Sequence, residues 1–169
     1  MAQITLKGNP VQTSGDLPAK GTAAPSFSLV AQDLSEKDLA GIGAKATVLN
    51  VFPSVDTPTC AMSVRSFNEK AAALNGVVIA NVSADLPFAQ KRFCGAEGIE
   101  NAITLSTFRS SFADDFGLRI ADGPLAGLCA RAVIVLDGSG KVAYTELVGE
   151  IADEPNYDAA LEAASAAAQ

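Results

Sequence analysis

The stretch Pro53–Cys60 (PSVDTPTC) joins a predicted strand to a predicted helix, and it largely determines the fold that we expect. Residues Ala46–Phe52 (ATVLNVF) before it are mostly apolar and rich in β-branched side chains, which is typical of a buried strand. Thr57 followed by proline is a helix-start signal, because threonine caps helices and proline suits the first helical position. Cys60 is therefore expected in the first turn of a helix, just beyond the end of a strand.

The first turn of a helix favours the ionised form of a cysteine. Backbone N–H groups there have no partner within the helix and carry partial positive charge, which stabilises a thiolate, the reactive form. With Thr57 as the N-cap, we expect its hydroxyl to accept a hydrogen bond from the backbone N–H of Cys60. The alternative is a buried structural cysteine, since Cys60 falls on an apolar helix stripe with Val64 and Phe67.

Histidine is absent from the 169 residues, and this excludes several classes of site. Hydrolases of the Cys-His and Ser-His types need an imidazole as general base. A zinc site is not expected either, because the three cysteines form no C-x-x-C motif. Activation of Cys60 must therefore come from backbone dipoles, hydroxyls and cations, and we expect neither a metal nor an organic cofactor.

The acidic composition argues against two classes of partner. The formal net charge is -7 and the sequence pI is about 4.5, so we expect neither nucleic acid nor an anionic membrane as a partner. No apolar run approaches the ~20 residues of a membrane span, and residues 1–7 lack the pattern of a signal peptide. We therefore expect a cytoplasmic protein whose cysteines serve redox or nucleophilic chemistry.

The rest of the chain predicts an α/β protein with a single domain over residues 1–169. A β-hairpin is expected at the N-terminus, where Ile4–Lys7 and Val11–Thr13 flank a Gly-Asn-Pro turn. Further strands are predicted at 27–30, 77–83, 102–106, 131–136 and 142–148, a helical turn at 34–39, and helices at 57–74, 86–94, 110–116 and 157–167. Because strands alternate with helices before a final hairpin, we expect a mixed central sheet flanked by helices on both faces.

The spacing Pro53-x-x-x-Thr57-x-x-Cys60 resembles the active-site motif of peroxiredoxins, and the surrounding chain is similar to their thiol peroxidase branch. The similar blocks include residues 83–90, 92–98, 103–109 and 120–125, and the likeness covers essentially the whole chain. The resemblance implies a thioredoxin-like fold and the reduction of hydroperoxides, organic ones in preference to hydrogen peroxide. It also implies thioredoxin as the reductant and a homodimer that packs near the active-site loops.

The same resemblance implies roles for individual residues. Cys60 is the peroxidatic cysteine, which attacks a hydroperoxide oxygen as thiolate and becomes a sulfenic acid. Thr57, the backbone N–H of Cys60 and Arg131 are the donors expected to stabilise the departing oxygen. Pro53 either shields the thiol or only ends the strand as a turn residue. From the residues alone, Arg131 is also compatible with an exposed charge at a strand end, and Arg65 is a weaker candidate for the cation.

Two further thiols are available to resolve the sulfenic acid. Cys94 is predicted at the end of a short helix, before Gly95, where fraying lets a thiol swing out at low cost. Cys129 directly precedes an apolar strand and has the character of a small core filler. The resemblance independently makes Cys94 the resolving cysteine, through an intrachain Cys60–Cys94 disulfide. Because a disulfide requires Cα atoms within ~4.4–6.8 Å, we expect both helix ends to unwind locally.

Several aromatic and aliphatic side chains are candidates for the substrate approach or for an interface. Phe88, Phe93 and Leu125 are candidates for an apolar approach to the thiol, which would suit organic hydroperoxides. Phe108 or Phe112 would serve a dimer interface, although each is equally compatible with the core.

Two other functions are compatible with the same thiols. A thiol–disulfide oxidoreductase is disfavoured because the chain has no C-x-x-C dithiol. A non-enzymatic redox sensor that passes its oxidation to a bound partner would use the same active-site chemistry. An insulin-reduction assay distinguishes the thiol–disulfide oxidoreductase from a peroxidase. A search for disulfides to a partner protein distinguishes the redox sensor from a peroxidase.

Overall fold

The computed structural model describes residues 1–169, with nine strands and five helices. The strands are β1 (Gln3–Leu6), β2 (Asn9–Gln12), β3 (Leu29–Ala31), β4 (Glu36–Lys37), β5 (Ala46–Val51), β6 (Val77–Ser83), β7 (Ala102–Ser106), β8 (Ala132–Asp137) and β9 (Val142–Leu147). The helices are α1 (Leu39–Ile42), α2 (Pro58–Ala71), α3 (Pro87–Glu97), α4 (Phe112–Asp115) and α5 (Tyr157–Ala167). None of these helices combines the length and the apolarity needed to cross a membrane.

Seven strands form one mixed sheet, in the order β4-β3-β7-β6-β5-β8-β9. β5 pairs in parallel with β6, and β6 with β7, because helical crossovers connect these strands. The remaining neighbours are antiparallel. β1 and β2 form a separate antiparallel hairpin. The mixed sheet and the N-terminal hairpin predicted from the sequence are both confirmed.

Helices cover both faces of the sheet, and the central strand β5 is buried throughout. Val48 faces a cluster that includes Phe67 of α2 and residues of α5. Leu49 points to the opposite face, where it joins a larger cluster with Phe112 of α4 and Ile4 of the hairpin. A strand that is buried on both faces has no polar side to alternate with, which explains its nearly continuous apolar run.

Two helical predictions in the N-terminal half of the chain are wrong: one segment is a strand, and one helix is shorter than predicted. Residues 34–39, predicted as a helical turn, instead contain the edge strand β4. The Asp33 carboxylate accepts hydrogen bonds from the backbone N–H and hydroxyl of Ser35, and Leu34 has φ 69°, so the chain reverses there into a hairpin with β3. The helix predicted to reach Leu74 ends at Ala71.

The end of α3 also differs from the prediction, since the helix continues through Gly95 to Glu97. Gly98 ends it with φ 66°, a left-handed conformation that glycine adopts without steric cost. The backbone N–H groups of Gly98 and Ile99 both donate to the carbonyl of Cys94, which is the pattern of a glycine C-cap. Cys94 therefore lies inside a capped last turn and not at a frayed end.

Candidate active site

Cys60 lies in the first turn of α2, and its side chain is fully buried. Val51, at the end of β5, pairs with Ala132, at the start of β8. This register brings the start of β8 beside the loop that leads into α2. The thiol is consequently placed next to the residue that precedes β8, although 71 positions separate the two in sequence.

Arg131 is the residue directly before β8, and its side chain is buried with 1% exposure. Its Nη2 lies 3.1 Å from the Sγ of Cys60, and its Nε donates to the carbonyl of Ile151 at 2.8 Å. The remaining nitrogen, Nη1, is buried without a hydrogen-bond partner. The alternative of an exposed charge at a strand end is therefore wrong for Arg131.

A cavity of about 530 Å³ adjoins this pair, and Arg131, Thr57 and Pro53 line it. Much of its remaining wall is apolar or comes from the N-terminal hairpin; it consists of Leu6, Lys7, Asn9, Pro58, Thr59, Pro124, Leu125, Ile151 and Ala152. Four of the five predicted site residues, including Cys60 through its contact with Arg131, are thus brought to one place. The hairpin, which no motif connected with chemistry, forms part of the wall.

Thr57 does not make the predicted hydrogen bond to the backbone of Cys60. No side-chain cap is formed at this N-cap, and the Thr57 hydroxyl donates to the carbonyl of Ser54 at 3.0 Å. The backbone N–H of Thr57 donates to the same carbonyl, so the turn before the helix captures both groups. The backbone N–H of Cys60 consequently donates to no group of the chain.

Pro53 is buried and occupies the position where the β5 hydrogen-bond ladder stops. The preceding residue, Phe52, still donates its backbone N–H to Val82 at 3.1 Å. Proline has no N–H to donate, so the chain leaves the sheet here without an unpaired donor. Pro53 both ends the strand pairing and lines the cavity.

Asp85 holds the loop between β5 and α2, a role that the sequence pattern does not single out. Its carboxylate accepts hydrogen bonds from the Ser54 hydroxyl at 2.7 Å, the Val55 backbone N–H at 2.9 Å and the Ser83 hydroxyl at 2.6 Å. The available signal was a Ser-x-Asp sequence that begins at the last residue of the buried parallel strand β6, because the carboxyl ends of neighbouring parallel strands share one edge of the sheet.

Cys94 lies in α3 and shares one buried cluster with Cys60, Phe52 and Val64. Burial raises the pKa of the Cys94 thiol. All three cysteines of the chain are free thiols in this structure. Cys60 and Cys94 are therefore members of the same buried cluster, and they lie on two separate helices.

Two ion pairs join α3 to α2 and to the loop before α2. Arg65 of α2 lies 3.2 Å from Glu97 of α3, and Arg92 of α3 lies 3.0 Å from Asp56 in the loop before α2. All four side chains are substantially exposed. Because Arg65 is engaged with Glu97 and makes no hydrogen bond to Cys60, it does not serve as the cation at the sulfur.

Cys129 belongs to a different buried cluster from Cys60 and Cys94. It is buried with 1% exposure in the large cluster on the opposite face of the sheet. Burial raises the pKa of its thiol to about 12. Its predicted character as a core filler agrees with this position. No group of three potential metal-ligating side chains occurs in the chain.

The four phenylalanines considered for the substrate approach or an interface differ in burial. Phe112 is fully buried in the core and Phe93 is buried in the Cys60 cluster. Phe88 and Phe108 are exposed, by 66% and 46% respectively. Leu125 alone of the three predicted approach residues lines the cavity. The interpretation of Phe112 as an interface residue is therefore wrong.

Comparison with known proteins supplies the family. The model of the Redoxin family matches residues 19–161 of this chain. The chain belongs to the redoxin family. Thiol peroxidases of Mycobacterium tuberculosis and Mycobacterium bovis are each 59% identical to it over 166 residues, which covers 98% of this chain and 100% of each relative. This redoxin is accordingly a peroxiredoxin, and the resemblance to the thiol peroxidase branch is confirmed.

Solved structures agree with this assignment. The crystal structure of a peroxiredoxin-like protein from Aquifex aeolicus has a TM-score of 0.93 and 42% identity, and covers 99% of this chain and 98% of that one. A thiol peroxidase from Chromobacterium violaceum has a TM-score of 0.84 at 24% identity, with 95% and 93% covered. The thioredoxin-like fold expected for this redoxin is thereby confirmed.

Proposed function

We propose that this peroxiredoxin is a thiol peroxidase that reduces hydroperoxides through a sulfenic acid on Cys60. The observation that carries the proposal is the 3.1 Å contact between Arg131 Nη2 and the buried Cys60 sulfur. A guanidinium is charged at all physiological pH values, and a neighbouring cation favours the thiolate over the thiol. With no histidine in the chain, Arg131 and the helix N-terminus supply that stabilisation.

The reaction joins the Cys60 sulfur to one oxygen of the hydroperoxide R–O–O–H. The thiolate supplies the electron pair for the new S–O bond, and the O–O bond breaks with its pair leaving on RO⁻. The sulfur becomes S–OH, and RO⁻ takes up a proton to leave as ROH. Two donors without partners in the chain, Arg131 Nη1 and the Cys60 backbone N–H, are available to stabilise the developing negative charge.

The lining of the cavity supports organic hydroperoxides as substrates beside hydrogen peroxide. Leu6, Leu125 and Ile151 face the space next to Arg131, together with three prolines. Such a surface stabilises an alkyl group by removing it from water. Its volume of about 530 Å³ is in the usual range for small-molecule sites.

Cys94 is proposed as the resolving thiol. Its sulfur attacks the Cys60 sulfenic sulfur, which forms a Cys60–Cys94 disulfide and releases water. Membership of one buried cluster supports this pairing, while Cys129 lies in a cluster on the other face of the sheet. A dithiol reductant of the thioredoxin type then restores both thiols by thiol–disulfide exchange, which requires an exposed sulfur and hence local unwinding.

The assembly and location follow from the same proposal. Exposed apolar side chains at Leu86, Phe88 and Phe108 support a homodimer interface near the active-site loops. Residues 1–169 are proposed to form a single domain, because the hairpin packs on the same core cluster as the sheet. We propose a cytoplasmic protein in antioxidant defence, where thioredoxin-type reductants operate.

The decisive experiment is stopped-flow oxidation of the reduced protein by hydrogen peroxide and by an alkyl hydroperoxide, followed by thioredoxin-coupled turnover. We expect rapid loss of the Cys60 thiol with both oxidants, and no reaction above background for Cys60→Ser. Hydroperoxide consumption that survives Cys60→Ser would overturn the proposal. An insulin-reduction assay on the same samples tests the oxidoreductase alternative, for which we expect no activity.

A further inference from the structure

The segment Gly149–Ala152, which follows β9, contacts three parts of the active site at once. The carbonyl of Ile151 accepts the hydrogen bond from Arg131 Nε at 2.8 Å. The carbonyl of Ala152 accepts one from the Thr59 hydroxyl in the first turn of α2, at 2.9 Å. Ile151 and Ala152 also line the cavity. The position of this segment therefore influences both the cation and the helix that carries the thiol.

Glu150 makes the side-chain contacts that join this segment to the N-terminal hairpin. Its Oε1 accepts hydrogen bonds from the Gly8 backbone N–H at 2.8 Å and the Thr5 hydroxyl at 3.0 Å. Its Oε2 accepts from the Ala152 backbone N–H at 2.9 Å and the Lys7 backbone N–H at 3.2 Å. One carboxylate thus connects the hairpin turn, the hairpin strand and its own segment.

The hairpin turn is shaped to receive this carboxylate. Lys7 has φ 50° and Gly8 has φ 81°, and positive values at both central positions are those of a type I′ hairpin turn. Successive backbone N–H groups in such a turn converge on one side and make an anion-binding concavity. The backbone N–H bonds from Ala152 and Gly8 favour the ionised carboxylate and lower the pKa of Glu150 to about 2.

The Ala152 N–H that donates to Glu150 belongs to the same planar peptide group as the Ile151 carbonyl, so Glu150 restrains that carbonyl directly. Two backbone bonds that do not involve Glu150 add to this restraint. Thr5 donates its N–H to Gly149, and Ile151 donates its N–H to Thr5. The peptide unit of Ile151 is consequently held between the hairpin and the arginine. A guanidinium is a planar group, so fixing the acceptor of its Nε fixes the direction in which Nη1 and Nη2 point.

We propose that Glu150 is a positioning residue for the peroxidase: by holding the Ile151 carbonyl in place, it sets the orientation of the Arg131 guanidinium against the Cys60 sulfur. Glu150 itself makes no contact with the sulfur. The role in turnover rests on the proposed function, whereas the effect on the ionisation of Cys60 does not. Displacing a catalytic group by about 1 Å can cost on the order of 100-fold in rate, so we expect a ten- to hundredfold loss in Glu150→Ala.

The test uses the full chain in a Cys94→Ser, Cys129→Ser background, so that Cys60 is the only thiol. Glu150→Ala removes all four acceptor contacts, and Glu150→Gln keeps one of the two acceptor oxygens. Asp137→Ala is the matched control, since this carboxylate accepts hydrogen bonds from Ser139 and Lys141 in the turn at the far end of β8. The readouts are the ultraviolet absorbance of the thiolate against pH, the rate constant of oxidation by hydrogen peroxide, and the thermal midpoint.

We expect Glu150→Ala to lower both the thiolate fraction at neutral pH and the oxidation rate constant. Glu150→Gln should fall between it and the parent, and Asp137→Ala should lose thermal stability alone. Parent-like ionisation of Cys60 in both Glu150 variants would overturn the proposal. If Glu150→Ala does not fold, the Glu150→Gln titration decides. The titration of Cys60 needs no peroxide and therefore tests the role of Glu150 by itself. If the parent protein does not react with peroxide, the proposed function is refuted, and the titration still decides the role of Glu150.

Discussion

Arg131 Nη2 lies 3.1 Å from the sulfur of Cys60, and both side chains are buried. Burying a charged guanidinium costs free energy unless partners replace its hydration. Here the partners are one sulfur and one carbonyl, and Nη1 has none. A fold that keeps an incompletely satisfied cation at this position is better explained by the chemistry at the sulfur than by stability.

Replacing Arg131 by methionine should therefore reduce the rate constant for Cys60 oxidation by about 100- to 1000-fold, the usual cost of removing a donor to a developing charge. Arg131→Lys should recover only part of the rate, because an ammonium cannot contact Ile151 and the sulfur with the same planar geometry. Arg119→Met is the matched control, since Arg119 is an exposed arginine paired with Asp114. Stopped-flow kinetics that rank Arg131→Met with Arg119→Met would contradict the assigned role.

Peroxide treatment should produce an intrachain disulfide between Cys60 and Cys94. Cys94→Ser should still be oxidised once per chain but should not turn over with thioredoxin, because its sulfenic acid has no resolving thiol. Cys129→Ser should behave like the parent in both assays. Non-reducing peptide mapping by mass spectrometry checks the pairing, and a Cys60–Cys129 or an interchain link would show that another thiol resolves.

The two ion pairs that join α3 to α2 and to the loop before α2 should slow disulfide formation, because these segments must separate locally before the sulfurs meet. Each exposed pair contributes about 0–1 kcal/mol after solvent screening, so Arg65→Gln and Arg92→Gln should each accelerate the step by up to about fivefold. Glutamine keeps the helix propensity similar and removes only the charge.

Lys70→Gln is the control for this effect, because Lys70 joins α2 to Asp158 and not to α3. The measurement is rapid-quench mass spectrometry of the disulfide after a single addition of peroxide. The acceleration should shrink in high salt, which screens the parent's ion pairs. Equal rates for the parent and both arginine variants at low salt would mean that these pairs do not restrain the helices.

Hydrophobic patterning predicted most of the fold because the core strands are short, apolar and bounded by clear turn residues. β6, β7 and α5 have the predicted bounds. The ends of helices were harder to predict from sequence, since glycine is both a stop signal and a tolerated interior residue. The sequence pattern placed the end of α3 before Gly95, whereas the helix continues through Gly95 and is capped by Gly98.

The site was less predictable from residue patterns than the fold. The first-turn position of Cys60 follows from local sequence, but its contact with Arg131 depends on strand order and came from the family resemblance. Asp85 and Glu150 lie in loops, where a carboxylate is usually solvated. The position of Asp85 after a parallel strand was one signal, but no spacing rule connects Glu150 to the thiol. The hydroxyl of Thr57 was misplaced because a carbonyl three residues earlier competes for it.

Cys129 should be inert in the native protein, because burial raises the pKa of its thiol to about 12 and excludes reagents. Iodoacetamide should modify it only after unfolding in urea. Cys129→Ala should keep the peroxide reaction and lose roughly 1 kcal/mol of unfolding free energy through the lost packing. Labelling of native Cys129 at the rate of the urea-unfolded protein would show that the core opens more readily than this packing allows.

Glu150 should also contribute to the acid sensitivity of the fold. Its pKa is lowered in the folded state from 4.5 to about 2, so in that interval the unfolded state binds more protons than the folded state. The stabilisation is therefore fully present above the unfolded value and is lost as the pH falls toward 2. Asp33 and Asp137 also have lowered pKa values and add to the acid sensitivity of the fold. The contribution of Glu150 is therefore measured as the difference in unfolding free energy between the parent and a Glu150 variant.

The measurement is urea unfolding of the parent and of Glu150→Gln at a series of pH values. The parent should be the more stable protein at neutral pH, and the gap should narrow progressively below about pH 5 because protonation removes the charge that glutamine lacks throughout. The stability difference between the parent and Asp137→Asn should also narrow as the pH falls, because the pKa of Asp137 is lowered too. This variant should leave the reaction of Cys60 with peroxide unchanged. A gap that stays constant down to about pH 2 would mean that the carboxylate charge does not hold the hairpin to the segment that supports Arg131.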